Sequence, residues 1–165
     1  MPTITQQARA TPDKPAFIMG ASGEVVTFAE LDAKANQIAQ LLRASGIQTG
    51  QHVAMMLKNC REFIEVVFGC SRAGVVFTPI STHLKKEETA YIINNCNARL
   101  FIASASLASV ATEAAEHAPE LLRKFIVGGE IAGFEDWQSA VASQPSDEIS
   151  DQTRGTDAVF IGYDR

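Results

Sequence analysis

Residues 50–80, GQHVAMMLKNCREFIEVVFGCSRAGVVFTPI, constrain the fold more than any other stretch of this chain. Residues 52–57 form an apolar run between Gly50 and the polar pair Lys58-Asn59, the pattern of a short buried strand. Asn59 is placed to cap a helix, and Glu62, three residues on, to reach back to the N–H of the cap. Phe63, Ile64, Val67, Phe68 and Cys70 then recur at mostly helical spacing as far as Ala73, and Gly74 supplies a left-handed stop. The face carrying Phe63, Val67 and Phe68 is expected to pack on the strands. Val75, Val76 and Phe77 form a second apolar run closed by Pro79. Strand, helix and strand in so short a space make a βαβ unit, with parallel strands and a right-handed crossover. Nothing in this unit has to do chemistry.

The flanking segments fit around it. Residues 4–10 have the spacing of a short amphipathic helix, stopped near Thr11-Pro12. Residues 16–19 and 25–27 read as an antiparallel hairpin about the turn 20–23. Thr27-Phe28-Ala29-Glu30 is a capping box, followed by Leu31, Ala35, Ile38, Ala39 and Leu42 on one helical face, and this helix ends at Ser45-Gly46. Beyond Pro79, Glu87 and Glu88 lie in the first turn of a helix, where negative charge suits the macrodipole. Residues 99–103 predict a third parallel strand. Ser104 or Ser106 is expected to cap an alanine-rich helix running to His117, and Pro119 bars its continuation. Residues 124–127 predict another strand, 134–142 a short helix packed through Phe134, Trp137 and Val141, and 158–163 a last strand. The expected fold is α/β: a mainly parallel sheet of βαβ units with flanking helices and an N-terminal β-hairpin.

At 165 residues and 46% hydrophobic content the chain reads as one α/β domain over 1–165, long enough to bury a core. A net charge of −5 argues against nucleic acid, whose phosphates need basic clusters. No apolar run is long enough to span a bilayer, and the N-terminus lacks a basic-then-apolar signal pattern, so the expected compartment is the cytoplasm. Cys60, Cys70 and Cys96 stand in no C-x-x-C spacing and read as core or helix residues. His52 and His117 have no partner at metal spacing. Residues 143–157 are a polar, acidic loop before the last strand; Asp147, Glu148 and Asp151 lack EF-hand spacing, and their charge reads as solvation.

Several of these residues taken in order resemble a known family. Thr27-Phe28-Ala29-Glu30-Leu31, then Ala35-Asn36-Gln37-Ile38-Ala39, Leu41-Leu42 and Gly46 are similar to the opening of the adenylate-forming acyl-CoA synthetases. The resemblance continues through Gly50-Gln51-His52-Val53-Ala54, Asn59, Glu62-Phe63, Gly69, Gly74 and Pro79-Ile80, and covers roughly residues 8–163. It implies the first part of the large N-terminal domain of that fold, incomplete relative to the family and more scaffold than active site. The family usually has an N-P-R-L-like turn where this chain has Ser81-Thr82-His83-Leu84, and in some members its arginine touches a phosphate of coenzyme A. Here His83 takes that position, followed by Lys85 and Lys86. Histidine is mostly neutral near pH 7, whereas arginine keeps a charged bidentate fork; the two lysines are the candidates to restore the charge. The alternative is a surface turn followed by a solvated helix start.

In the resembled family the strand at 158–163 leads into a phosphate-binding loop of the form S/T-S/T-G-T-T-G-x-P-K-G, which wraps ATP phosphates with backbone N–H groups. No such loop occurs in the 165 residues, nor do the later nucleotide motifs or the catalytic lysine. Two readings follow. One is the N-terminal scaffold of an enzyme that uses ATP, Mg and CoA on a fatty or other carboxylic acid. By itself this portion is expected to be inactive, to bind none of these cofactors and to self-associate through apolar surface beside the terminal strand. The other is a non-catalytic interaction or regulatory module that keeps the scaffold. No residue of the chain is assigned a catalytic or metal-binding role.

Overall fold

The computed structural model describes residues 3–151 and 162; the strand expected over 158–163 and the loop from 152 onward lie outside the described residues, Gly162 apart. The chain opens with α1 (Ile4–Ala10), the hairpin strands β1 (Pro15–Ile18) and β2 (Val25–Thr27), and α2 (Phe28–Ala44). The central unit is β3 (His52–Met56), α3 (Arg61–Ala73) and β4 (Val76–Pro79). There follow α4 (Lys86–Asn95), β5 (Ala98–Ser104), a 3₁₀ turn (Ala105–Leu107), α5 (Ala108–Glu116), β6 (Arg123–Val127), β7 (Glu135–Asp136) and α6 (Trp137–Ala142). β1 and β2 pair antiparallel, and the other described strands form one parallel sheet in the order β4-β3-β5-β6-β7. The expected α/β architecture is therefore the observed one. No described helix is long and apolar enough to cross a membrane.

The apolar runs of β3 and β5 are continuous because helices cover both faces of the sheet. Alternate residues serve opposite layers. Val53 and Met55 join α2, α3 and α6 in one core, whereas Ala54 and Met56 join α4 and α5 in the other. Trp137 and Phe125 meet edge-to-face in the first core, their ring centroids 5.4 Å apart. Phe101 and Phe134 do the same in the second at 6.3 Å.

The capping box of α2 forms as its sequence dictates: Glu30 N–H donates to Thr27 Oγ1 (3.3 Å) and Thr27 N–H to Glu30 Oε2 (2.8 Å). The backbone N–H of Thr27 holds the Glu30 carboxyl below its usual range. Thr3 and Gln6 form a second box on α1. Elsewhere the local signals lose to longer-range partners. The N-cap of α3 is Cys60 rather than Asn59, with no side-chain cap, and the Glu62 carboxylate accepts from Gln138 Nε2 instead (3.0 Å). Neither Ser104 nor Ser106 caps the helix after β5. Ser104 Oγ accepts from the Lys58 N–H (3.0 Å), a 3₁₀ turn intervenes, and α5 starts at Ala108. Over 134–142 the helix begins only at Trp137, because Glu135 and Asp136 pair with β6 and Asp136 then caps the Ser139 N–H (2.8 Å).

The expected face of α3 is also turned. Its buried residues are Glu65, Val66, Gly69, Cys70, Arg72 and Ala73; Phe63 and Val67 are half-buried against the core, and half-buried Phe68 lies outside both cores. The cause is close contact with α2. A Cβ at Gly69 would lie 2.3 Å from Ile38 Cγ2 and 2.6 Å from Ile38 Cβ, so only glycine admits this approach. One turn on, the buried Arg72 guanidinium pairs with the Asp32 carboxylate and donates to Asn36 Oδ1, to the Asp32 carbonyl (2.7 Å) and to Thr5 Oγ1 (3.2 Å). Glu65, buried on the same helix, accepts from Arg61 Nε at 2.8 Å; burial pushes its carboxyl up and Arg61 opposes the shift.

The Gly69 contact gives a direct test. Gly69→Ala gains roughly 1 kcal/mol of helix propensity but overpacks a fully buried contact at the upper end of the usual cost of about 1–3 kcal/mol, and the net expectation is destabilisation by about 1–2 kcal/mol. Gly20→Ala, where an added Cβ meets nothing within 4 Å, should leave the midpoint of urea unfolding unmoved. Equal midpoints for the two variants would mean that α2 and α3 are not this close.

Candidate functional site

In open parallel sheets, ligands bind beyond the carboxyl ends of the strands, where the strand order reverses. Here the chain passes from β3 outward to β4 and then back across β3 to β5, which puts the reversal between β3 and β5. The mouth of that crevice is bridged by the Lys58 N–H to Ser104 Oγ bond. Beside it, after β4, lies the turn that carries the sequence-predicted residues. The turn is anchored where Ile80 N–H donates to the Met55 carbonyl (2.8 Å), and it closes with Leu84 N–H on the Ser81 carbonyl (3.3 Å).

His83 is exposed at the turn, its backbone N–H 3.4 Å from Ser81 Oγ. Lys85 is also exposed and stands at the N-cap of α4, where its N–H donates to Glu88 Oε2 (3.0 Å). Lys86 turns aside to pair with Glu113 of α5, whose other carboxylate oxygen accepts from Ser109 Oγ (3.2 Å). The structure thus brings His83, Lys85 and Lys86 to one end of the sheet but ties the Lys86 ammonium to a carboxylate. Glu113 is 27 residues away in sequence, so no local pattern signals the pairing.

The hydrogen bond to Glu113 raises the Lys86 pKa, and its counterpart lowers that of Glu113. For Glu113, depressed in the folded state, the contribution is present above the ordinary glutamate value and is lost as pH falls through the folded one. For Lys86, raised in the folded state, it is present below the ordinary lysine value and lost as pH rises through the folded one. The pair therefore persists through neutrality, but with both side chains close to half exposed it is a weak, salt-screened one that a phosphate could compete for.

The other reactive residue types are placed for structure. Burial pushes the Cys60 thiol up to about 11 and the Cys70 thiol up to about 12, and raises Cys96 as well, so none is an activated thiolate at neutral pH. His52, whose pKa burial lowers, begins β3 at the opposite end of the sheet from the turn. Among the described residues, no three His, Cys, Asp or Glu side chains cluster as a metal site. A shallow hollow of about 580 Å³, lined by residues that include Ile126, Ile131, Phe134 and Asp136, lies after β6, three strands from His83. All six arginines among the described residues, Arg9, Arg43, Arg61, Arg72, Arg99 and Arg123, are in ion pairs within the chain.

Comparison with known proteins adds what this geometry lacks. The family described as AMP-binding enzyme matches residues 4–163. The chain is 36% identical over 127 residues to a crotonobetaine/carnitine–CoA ligase of Citrobacter koseri, covering 75% of this chain and 25% of that protein. It is 30% identical over 162 residues to the long-chain-fatty-acid–CoA ligase FadD13 of Mycobacterium tuberculosis, covering 97% of this chain and 31% of that protein. Among solved structures, the N-terminal domain of FACL13 from Mycobacterium tuberculosis superposes with a TM-score of 0.83 at 25% identity, over 96% of this chain and 39% of that one. The chain thus spans less than about a third of the length of these curated relatives.

Proposed function

The chain belongs to the AMP-binding enzymes, and from that membership we propose that it is the N-terminal scaffold portion of an ATP-dependent acyl-CoA synthetase. The parent reaction joins a carboxylate to the α-phosphate of ATP with loss of pyrophosphate. It then transfers the acyl group to the thiol of coenzyme A with loss of AMP. The observation that carries this reading is the family match along residues 4–163, together with curated relatives that are named as CoA ligases. A fatty or other carboxylic acid is the proposed substrate class and the cytoplasm the proposed compartment.

The isolated 165-residue chain is proposed to be inactive. Adenylation requires fixed donors that hold carboxylate and α-phosphate in line and neutralise developing charge, each such term being worth several kcal/mol of barrier. The described arginines are already spent on partners within the fold, which supports a structural rather than catalytic use of charge. Magnesium would accompany ATP, held chiefly by the phosphates and one or two carboxylates. His83 and Lys85, with Lys86 behind them, are proposed as a weak contact for a phosphate of coenzyme A, supported by their exposure on one turn. The purified chain is further proposed to self-associate. Ile18 and Val25, neighbours across the hairpin and 59% and 46% exposed, are apolar surface suited to it. A clean monomer by sedimentation over a wide concentration range would refute the self-association.

Two measurements test the main claims. Pyrophosphate release from ATP, with a panel of short to long carboxylic acids, should match a heat-treated control for the 165-residue chain. It should rise with CoA thioester formation for a longer protein carrying this sequence. Turnover by the short chain would overturn its assignment as scaffold. Failure of the longer protein would overturn the ligase reading in favour of a non-catalytic module. For the turn, His83→Arg in the longer protein should tighten coenzyme A binding several-fold by supplying a permanent bidentate fork. Unchanged calorimetric affinity would remove these residues from the site.

A further inference from the structure

Residues 144–151, QPSDEISD, contain no helix or strand, yet they are fastened along α2. Three side-chain amides of that helix donate to backbone carbonyls of the segment: Gln37 Nε2 to Gln144 (2.9 Å), Asn36 Nδ2 to Ser146 (2.9 Å) and Gln40 Nε2 to Asp147 (3.0 Å). Ile149, only 8% exposed, joins the core cluster that contains Ile38, Ala39 and Leu42. Two ion pairs complete the attachment, Arg9 with Glu148 (3.3 Å) and Arg43 with Asp151 (3.0 Å). Acidic residues that read as solvated therefore have specific partners.

The attachment differs in kind from the sheet beneath it. β3 is paired on both sides through backbone ladders, whereas residues 144–151 are held by amide side chains, one isoleucine and ion pairs whose carboxylates are 37% and 55% exposed. Such pairs are weak and screened by salt, and segments held in this way open at free energies well below global unfolding. We infer that residues 144–151 form a latch that leaves and re-enters the α2 face as a unit while the five-stranded sheet stays folded. Its docking position is set from within. Asn36 Oδ1 is held by Arg72, which orients the Asn36 amide so that Nδ2 points to the Ser146 carbonyl. The inference does not depend on the ligase reading.

The test uses the 165-residue chain carrying Ile149→Cys, with Cys70, fully buried on α3, as an internal reference. Alkylation followed by peptide mass spectrometry should show the new thiol reacting at least about tenfold faster than Cys70, and faster still at high salt. Adding Gln40→Ala, which removes one carbonyl contact, should raise that rate by about two- to tenfold and leave Cys70 unchanged. Equal rates at the two thiols, or a parallel rise in both, would mean that the segment opens only with the whole fold and would overturn the inference. Because Ile149→Cys itself trims the anchor, the unaltered chain provides a second reading. A glutamate-specific protease should cut after Glu148 well below the temperature at which the far-ultraviolet signal melts, and sooner in Gln40→Ala. Cleavage there only at the melting temperature would overturn the latch.

Discussion

The fold turns on a buried guanidinium. Arg72 of α3 reaches the carboxylate and carbonyl of Asp32 and the amide of Asn36 on α2, and the hydroxyl of Thr5 on α1. Withdrawing such a charge from water costs several kcal/mol unless it is paired and hydrogen-bonded, and here four oxygens of three residues accept from its two terminal nitrogens. The geometry this demands is available only because Gly69, one turn earlier on the same face, lets α2 and α3 approach against Ile38. Gly69 thus sets the distance between the helices and Arg72 their register. From Asn36 the same network continues to the Ser146 carbonyl and so fixes where the segment after α6 lies.

Much of this architecture was legible where local chemistry and tertiary packing agree. The Thr27–Glu30 box, the βαβ order and the left-handed Gly74 (φ 62°) all follow from adjacent residues, and each is present in the structure. The face of α3 was legible only in part: Phe63 and Val67 do pack against the core, but Phe68 does not, and the fully buried positions are others. Apolar periodicity ranks Phe63 and Phe68 above Gly69, Cys70 and Ala73, whereas close helix packing favours the small residues. Arg72 and Glu65 look like solvated helix charges until their partners come from other elements. Ser104 is a plausible cap by position, but its hydroxyl is taken by Lys58, 46 residues away. The two-residue strand β7 is too short to carry any period of its own.

The candidate site shows the same division. Position along the chain, through family resemblance, singles out the turn with His83, Lys85 and Lys86. Chemistry in the described residues does not make it a reaction centre, because the Lys86 charge is shared with Glu113 and the nearby crevice is bridged by Lys58 and Ser104. The strand order alone points to that end of the sheet, as it would for many unrelated proteins. Family membership therefore carries the functional reading, and the local physics assigns the charged residues to holding the scaffold together.

That assignment, charge used for architecture, is tested most directly at Arg72. A double-mutant cycle of Arg72→Met and Asp32→Asn, read by urea unfolding, should show the loss of Arg72 costing about 3–5 kcal/mol. The coupling between the two sites should exceed about 1 kcal/mol, since the second change costs little once the ion pair is gone. An Arg72→Met chain with an unmoved unfolding midpoint, or strictly additive effects, would contradict the account.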